Sequence, residues 1–157
     1  MPMRCLLAID LGLKTGLALY NRNGRLVWYR SQNFGTTSRL KRAVKGLLDS
    51  MQNLSWLVME GGGPLADIWE HEALYRQIPV LRTSAEDWRK LFLYPREQRN
   101  RARAKYSAGE KARKVIEWSG APRPTALRHD TAEAILIGLW GVLNVGWLEK
   151  IPRRIYS

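Results

Sequence analysis

The chain has 157 residues, which suits one domain and leaves little room for a second. Its 26 Lys and Arg against 14 Asp and Glu give a net charge of +12, which favours a polyanionic partner, nucleic acid more often than an anionic membrane. A single cysteine excludes an internal disulfide, and together with two histidines it excludes a zinc-finger site.

Three strands are predicted at the beginning of the chain. Residues 5–9 form a continuous apolar run, typical of a strand buried on both faces, and the run ends at Asp10. The second and third strands are predicted over 16–20 and 25–33, joined by an Asn-Gly pair that suits a two-residue hairpin turn. The chain therefore opens with a β-meander that carries a carboxylate at the tip of its first strand.

Helices and strands alternate in the middle of the chain. Apolar residues spaced three and four apart predict a helix over 38–51, with Thr37 or Ser38 as its cap. A short apolar strand over 56–59 then stops on a second carboxylate, Glu60. The next predicted elements are a helix over 65–76, a strand over 79–82 and a short helix capped by Ser84 and ending at Leu91.

Basic residues are frequent in the last third of the chain. Residues 94–105 lack apolar periodicity, and we expect them to form a mobile basic loop. Helices are predicted over 107–118 and 129–140. Residues 149–157 are expected to form a loosely held basic tail.

The order of these elements, βββαβαβα, predicts an α/β fold: a mixed five-stranded sheet with helices on both faces, occupying residues 1–148. The first and fourth strands suit parallel neighbours joined by a crossover connection. If these two strands pair, Asp10 and Glu60 meet at the same edge of the sheet.

Two further carboxylates lie on the last predicted helix. Asp130 and Glu133 are three residues apart, hence on one face, directly before an apolar run. Each acid taken alone suits a turn or a helix N-terminus. Brought together with Asp10 and Glu60, they would repel one another unless protonated or neutralised by a divalent cation. Oxygen ligands without Cys favour Mg²⁺ or Mn²⁺, and two such ions about 4 Å apart support phosphodiester hydrolysis.

An ordered set of motifs resembles the RNase H-like superfamily and, within it, the RuvC-type Holliday junction resolvases. The stretches 7–12 and 15–18 resemble the first strands of the superfamily, and 58–60 resembles its fourth-strand acid. The stretch His-Asp-Thr-Ala-Glu-Ala at 129–134 is similar to the closing helix motif of the resolvases. The resemblance covers residues 4–145 and implies an RNase H-like fold.

The resemblance also implies metal-dependent endonuclease activity. Asp10, Glu60, Asp130 and Glu133 would be the catalytic acids, holding two Mg²⁺ or Mn²⁺ ions per active site with no small-molecule cofactor. Glu133 departs from the aspartate common in bacterial members, keeping the charge and lengthening the reach. Lys111 matches a lysine expected near the scissile phosphate, although it equally suits the solvated face of a basic helix.

Other polar residues are candidates for contacts with nucleic acid. Lys14 lies in the first turn and is expected to touch a phosphate. His129 would either orient a water or a carboxylate, or cap its helix. The remaining candidates are the basic side chains Arg96, Arg99, Arg101, Arg103, Lys105, Lys111 and Lys114.

The partners implied by the resemblance are branched DNA, a four-way junction, and a second copy of the chain, so that a homodimer makes paired nicks. The large apolar residues of the helix after Glu60 suit such a dimer contact, and they equally suit packing on the sheet. Trp69 and Tyr75 would alternatively stack on unpaired bases. These apolar residues are Leu65, Ile68, Trp69, Leu74 and Tyr75.

Two other functions stay open at this point. The first is a small RNase H-like nuclease that trims ribosomal RNA precursors, which the stretch 10–16 also resembles; the second is a non-catalytic nucleic-acid binding module, which charge alone supports. We expect an intracellular protein, cytoplasmic or associated with the nucleoid (organellar if a transit peptide has been removed). Asp10 interrupts the apolar run of a signal peptide, and the uncharged stretch 134–148 is shorter than the roughly 20 residues of a membrane span.

Overall fold

The computed structural model describes residues 3–156, so Met1, Pro2 and Ser157 lie outside the described residues. One sheet contains five strands in the order β3-β2-β1-β4-β5. The strands are β1 (Cys5–Asp10), β2 (Lys14–Asn21), β3 (Leu26–Asn33), β4 (Leu54–Glu60) and β5 (Val80–Thr83). The helices are α1 (Thr37–Ser50), α2 (Pro64–Tyr75), α3 (Ala85–Phe92), α4 (Arg101–Ser119) and α5 (His129–Asn144).

The sheet is mixed, as the sequence predicts. β1 runs antiparallel to β2 and parallel to β4, and β4 runs parallel to β5. In the parallel pair Asp10 lies opposite Glu60, because both strands stop at the same register position. The predicted meeting of these two carboxylates at one sheet edge is therefore present.

Helices cover both faces of the sheet, each over its own apolar core. Alternate residues of β1 explain the division: Leu6 and Ala8 contact the core under α3, α4 and α5, whereas Leu7 and Ile9 contact the core under α1 and α2. The two sides of the sheet therefore differ, because only on the side covered by α5 does a helix cross the ends of β1 and β4.

Helix α5 lies very close to the sheet because glycines replace side chains at the contacts. A Cβ added at Gly138 would lie 2.2 Å from the Tyr20 ring, and one added at Gly16 would lie 2.0 Å from the carbonyl oxygen of Asp130. The hydroxyl of Tyr20 donates to the carbonyl of Ile135 and fixes the helix along its length. This close approach carries the first turn of α5 over the tip of β1.

Gly16→Ala is expected to destabilise the fold by about 3 kcal/mol, because the new methyl group meets backbone atoms of α5 that cannot rotate away. Urea unfolding midpoints measure the loss. Gly46→Ala is the matched control: a Cβ at Gly46, inside α1, meets nothing within 4 Å, and alanine favours a helix. Equal stability of the Gly16 and Gly46 variants would contradict the close packing described here.

The basic segment 94–105 is not the loop that the sequence suggests. A 3₁₀ turn covers Pro95–Gln98, and α4 begins at Arg101 because the side chain of Asn100 accepts a hydrogen bond from the backbone N–H of Arg103, 2.8 Å long. The prediction was wrong because charge removes the apolar periodicity without removing helix propensity. The basic side chains at 101, 103 and 105 are thus presented from the first turns of a helix.

The C-terminal tail is also more ordered than predicted. A 3₁₀ turn covers Arg153–Ile155, and the side chain of Ile155 is fully buried against the α4 and α5 core. The buried ammonium of Lys111 donates to the carbonyl oxygen of Ile155 over 3.2 Å. Through Tyr156 the tail therefore packs on the domain, and the expectation of a loosely held tail is wrong; Ser157 lies outside the described residues.

Within residues 3–156, no helix combines the length and the apolar content that crossing a membrane requires. The intracellular location stays a prediction.

Candidate active site

Three carboxylates from three elements meet at the edge of the sheet. Asp10 ends β1, Glu60 ends β4, and Glu133 lies in the second turn of α5. One oxygen from each of these side chains lies within 4.8 Å of the others. Asp10 and Glu60 are half-buried, and Glu133 is buried. Such a group of acids is strongly unfavourable unless protons or cations neutralise part of its charge.

The electrostatics of Asp10 reflect this crowding. Burial, first, and then the neighbouring charges of Glu133, Glu60 and Asp130 together raise the pKa of its carboxyl from 3.8 to about 8. A carboxyl with this pKa keeps a proton near neutral pH until a cation replaces it. Asp10 is therefore the group at which protons and cations compete most directly.

Glu60 is held between opposing influences. Burial and the charge of Glu133 raise its pKa, whereas the indole N–H of Trp88 and the charge of Arg89 lower it. The Trp88 ring is fully buried, and among residues 3–156 its N–H has no hydrogen bond of ordinary geometry. This donor therefore lies near Glu60 without being used by another acceptor.

Glu133 lies next to two nitrogen-bearing side chains, Arg89 and His129. Its Oε1 atom accepts from the guanidinium of Arg89 at 2.8 Å and lies 2.9 Å from Nε2 of His129. His129 precedes Glu133 by one helical turn, which places both side chains on the same face. The capping role weighed for His129 is wrong, because Arg128 occupies the cap position and α5 has no side-chain cap bond there.

Asp130 lies beside the cluster of three rather than inside it. Its Oδ2 atom accepts a 2.7 Å hydrogen bond from the hydroxyl of Ser31 on β3, and its Oδ1 atom accepts from the backbone N–H of Thr131. Its charge still raises the pKa of Asp10, so the fourth acid is close enough to act on the same site. The spacing of Asp130 and Glu133 on one helix face therefore brings both carboxylates to the site, but each has its own hydrogen-bond partners.

These residues fit a divalent cation. The donor set is oxygen only, which suits Mg²⁺ or Mn²⁺, and the pKa of Asp10 is raised by burial and by three neighbouring carboxylate charges that a cation would neutralise. Asp10, Glu60 and Glu133 would hold the cation, with Asp130 available at the edge. The number of ions and the choice between Mg²⁺ and Mn²⁺ stay predictions.

A cleft with many basic side chains opens directly from Glu133. We call it the basic groove; it has a volume of about 510 Å³ and lies between α3, the first turn of α4 and the start of α5. Three of the predicted nucleic-acid contacts, Arg99, Arg101 and Lys105, line it. The basic groove therefore places positive charge next to the carboxylates. Its lining residues are Arg89, Gln98, Arg99, Asn100, Arg101, Ala104, Lys105, His129 and Glu133.

The other predicted contacts lie elsewhere. The Lys111 side chain is buried, donates to the carbonyl of Ile155 and lies 5.1 Å from the centre of the Tyr156 ring, so its ammonium belongs to the tail contact. Arg96 stacks on Tyr94, and Lys14 is exposed at the start of β2. Arg103 is exposed on α4 but does not line the basic groove, and neither does the half-buried Lys114. The role predicted for Lys111 at a scissile phosphate is not supported by this placement.

Arg89, Trp88 and Ser31 are site residues that sequence reasoning missed. Each contacts an acid from an element distant in the chain, α3 or β3, so no spacing rule connects them.

Arg89→Gln is expected to lower the free energy of unfolding of the metal-free protein by about 1–2 kcal/mol, because it removes the guanidinium that pairs with the buried carboxylate of Glu133. The value is in the lower range for buried pairs because the side chain of Arg89 is 32% exposed. Denaturant unfolding in the presence of a chelator measures it. Lys90→Gln, an exposed neighbour on α3, is the control, and an equal effect of both changes would show that Arg89 does not compensate the acids.

Comparison with known proteins supports the fold. No family model and no curated protein matches the sequence. Among solved structures, T. thermophilus RuvC in complex with a Holliday junction substrate superposes with a TM-score of 0.61 at 16% identity, covering 92% of this chain and 97% of that one. The yeast mitochondrial Holliday junction resolvase Ydc2 gives a TM-score of 0.56 at 13% identity, covering 92% of this chain and 85% of that one.

The chain therefore has an RNase H-like α/β fold, similar to the folds of RuvC and Ydc2. The prediction of this fold class from the sequence is confirmed.

Proposed function

We propose that this chain is a structure-selective endonuclease that resolves four-way DNA junctions by metal-dependent phosphodiester hydrolysis. The observation that carries the proposal is the convergence of Asp10, Glu60 and Glu133 within 4.8 Å at the end of a basic groove. Neither feature alone is sufficient: basic surfaces bind nucleic acid without cutting it, and acidic clusters occur without substrates. Their adjacency is what a hydrolytic site for a polyanion requires.

The residues divide into two tasks. Asp10, Glu60 and Glu133, with Asp130, would hold two Mg²⁺ or Mn²⁺ ions, which when bound activate a water and stabilise the leaving oxygen of the phosphodiester. The basic groove would hold the backbone of the substrate strand through its charged side chains. Arg89 and His129 fix the carboxylate of Glu133 from the groove side, so binding of the strand and alignment of the acids occur on one surface.

The choice of a four-way junction as substrate comes from the structural neighbours. One of the two is described in complex with a Holliday junction, and the other is a Holliday junction resolvase. The chain covers most of both, and its own basic groove and net charge of +12 suit a large polyanion.

The homodimer belongs to the proposal as well. On α2, Leu74 and Tyr75 are 75% and 81% exposed, unusual for such side chains, whereas Trp69 is fully buried in the core under α1 and α2. Trp69 therefore packs on the sheet and cannot stack on DNA bases. The exposed pair supports the expected dimer contact, which sedimentation or light scattering of the purified protein tests.

The deciding experiment is incubation with an end-labelled four-way junction and Mg²⁺ or Mn²⁺. Paired, symmetric nicks that require the metal and are absent with a chelator support the proposal. Linear duplex DNA of the same sequence and a structured ribosomal RNA precursor are run beside it. Preferred cutting of the RNA would favour the trimming nuclease, and binding of the junction without any cutting would favour a non-catalytic module.

A further inference from the structure

A second basic cleft lies beyond Asp130, on the other side of the α5 N-terminus from the basic groove. We call it the second cleft; it has a volume of about 260 Å³. The basic groove includes His129 and Glu133, whereas the second cleft includes Arg128 and Thr131. At 100° per residue Asp130 points between Glu133 and Thr131, so the acids separate the two clefts. The second cleft is lined by Tyr29, Arg30, Ser31, Pro124, Ala126, Leu127, Arg128 and Thr131.

The second cleft is joined to the carboxylates by a direct contact. Ser31, which lines it, donates to Oδ2 of Asp130 over 2.7 Å. Any chain that enters the cleft along Ser31 and Thr131 therefore arrives at the fourth acid of the candidate active site.

Positive charge continues outward from this cleft. Past Pro124, which lines both, it adjoins a hollow of about 320 Å³ lined by Arg113 and Arg123. Arg113, Arg123 and Arg128 are exposed, and none of them forms an ion pair with another residue in the range 3–156. The single acid of the hollow, Glu117, lies 3.7 Å from Arg154.

The wall of the second cleft is held in place before any ligand binds. The hydroxyl of Tyr29 donates to the carbonyl of Pro122, and the hydroxyl of Ser119 accepts from the backbone N–H of Leu26 at 3.0 Å. The guanidinium of Arg25 donates to the carbonyl of Trp118 and lies 4.3 Å from the centre of its ring. These bonds fix the connection between α4 and α5 against β3, so the surface is preformed.

We propose that the nucleic-acid strand with its scissile phosphate at the carboxylates passes through both clefts. On one side of the cut, the basic groove holds its phosphates; on the other, Arg128 holds them, followed by Arg113 and Arg123. The occupant is a sugar–phosphate backbone, because the cleft offers exposed guanidinium groups and has no acid among its lining residues. This inference rests on the proposed function, since it takes the substrate of that site as given.

The first test compares two double variants with the same change in charge. Arg123→Ala/Arg128→Ala removes charge from the proposed path, and Arg4→Ala/Arg22→Ala removes it beside the start of β1 and in the β2–β3 turn, at the opposite end of the sheet from Asp10. Junction affinity is measured with Ca²⁺ in place of Mg²⁺, between about 50 and 200 mM salt. We expect the path variant to bind about tenfold more weakly and to lose about 1.8 from the slope of log affinity against log salt, and the control to lose about twofold or less.

The second test locates the contact on the strand. Junctions carrying one neutral methylphosphonate at successive positions on either side of the cut site are bound to the wild type and to the path variant. On one side of the cut we expect the neutral linkages to weaken junction binding by the wild type, and to leave junction binding by the path variant unchanged. On the other side they should weaken both proteins equally.

The outcomes separate this inference from the proposed function. Equal affinity and equal salt slope for the two double variants would overturn the second cleft as a strand path. An Arg99→Ala variant, which removes charge from the basic groove, shows on which side of the cut that groove holds the strand. If the path variant loses the methylphosphonate effect on that same side, the second cleft is likewise overturned as a strand path. If either of these results is found and the wild-type protein still cuts the junction, the proposed function stands and only this inference is overturned. A wild-type protein that does not bind the junction overturns both.

Discussion

Asp10→Asn is expected to lower the rate of junction cleavage by at least about 1,000-fold while leaving junction affinity unchanged or slightly higher. The change keeps the size of the side chain but removes the charge at the centre of the cluster, where Glu60, Glu133 and Asp130 all act on Asp10. Affinity is preserved because the basic groove lies at Glu133, and an amide repels phosphate less than a carboxylate does.

Single-turnover cleavage with saturating enzyme measures the rate without interference from binding. Asp67→Asn is the matched control, an identical chemical change at an exposed position on α2, on the opposite side of the sheet. We expect the control to cut at the wild-type rate. Cleavage by Asp10→Asn within tenfold of wild type would remove Asp10 from the reaction and with it the proposed mechanism.

The order of the elements along the chain and the parallel pairing of β1 with β4 could be predicted, because hydrophobic patterns mark the elements and a crossover connection suits parallel neighbours. A continuous apolar run of the kind at 5–9 is typical of a strand covered on both faces, and both β1 and β4 end on an acid. Once these strands pair in parallel, Asp10 and Glu60 must meet. Two of the three clustered acids were thus accessible from sequence pattern, and the third, Glu133, from the helix motif.

The remainder depends on contacts between distant segments. Lys111 lies among other basic residues, as on the solvated face of a helix, but its side chain is buried because the tail covers it at Ile155. Arg89 joins Glu133 across 44 positions of sequence. Asn100 begins α4 inside a stretch whose charges suggested a loop. In each case the sequence offers the chemical group, and only the packed fold selects its partner.

The metal-free protein is expected to lose stability as the pH rises from about 5 to 8, by about 4 kcal/mol at most through Asp10. The carboxyl of Asp10 has a pKa of 3.8 when it is unperturbed and about 8 in the folded protein. Between these values the folded chain binds a proton that the unfolded chain has lost, so increasing pH favours unfolding, by up to about 1.36 kcal/mol per pH unit. The lowered pKa of Glu97 acts in the opposite sense, but below this window.

Denaturant unfolding at several pH values, in the presence of a chelator, measures this loss. Asp10→Asn carries no titrating group at that position, so its stability should fall less than that of the wild type across the same window, with the raised pKa of Glu60 as a remaining contribution. The variant should therefore be more stable than the wild type at pH 8. Asp67→Asn should keep the wild-type dependence, because Asp67 is exposed and distant from the cluster. Added Mg²⁺ should restore wild-type stability at pH 8 and leave Asp10→Asn almost unchanged, since a cation that binds only the folded state stabilises it. A wild-type profile that stays flat from pH 5 to 8 without metal would contradict the raised pKa of Asp10, and with it the burial and crowding of carboxylates that make this group a cation ligand.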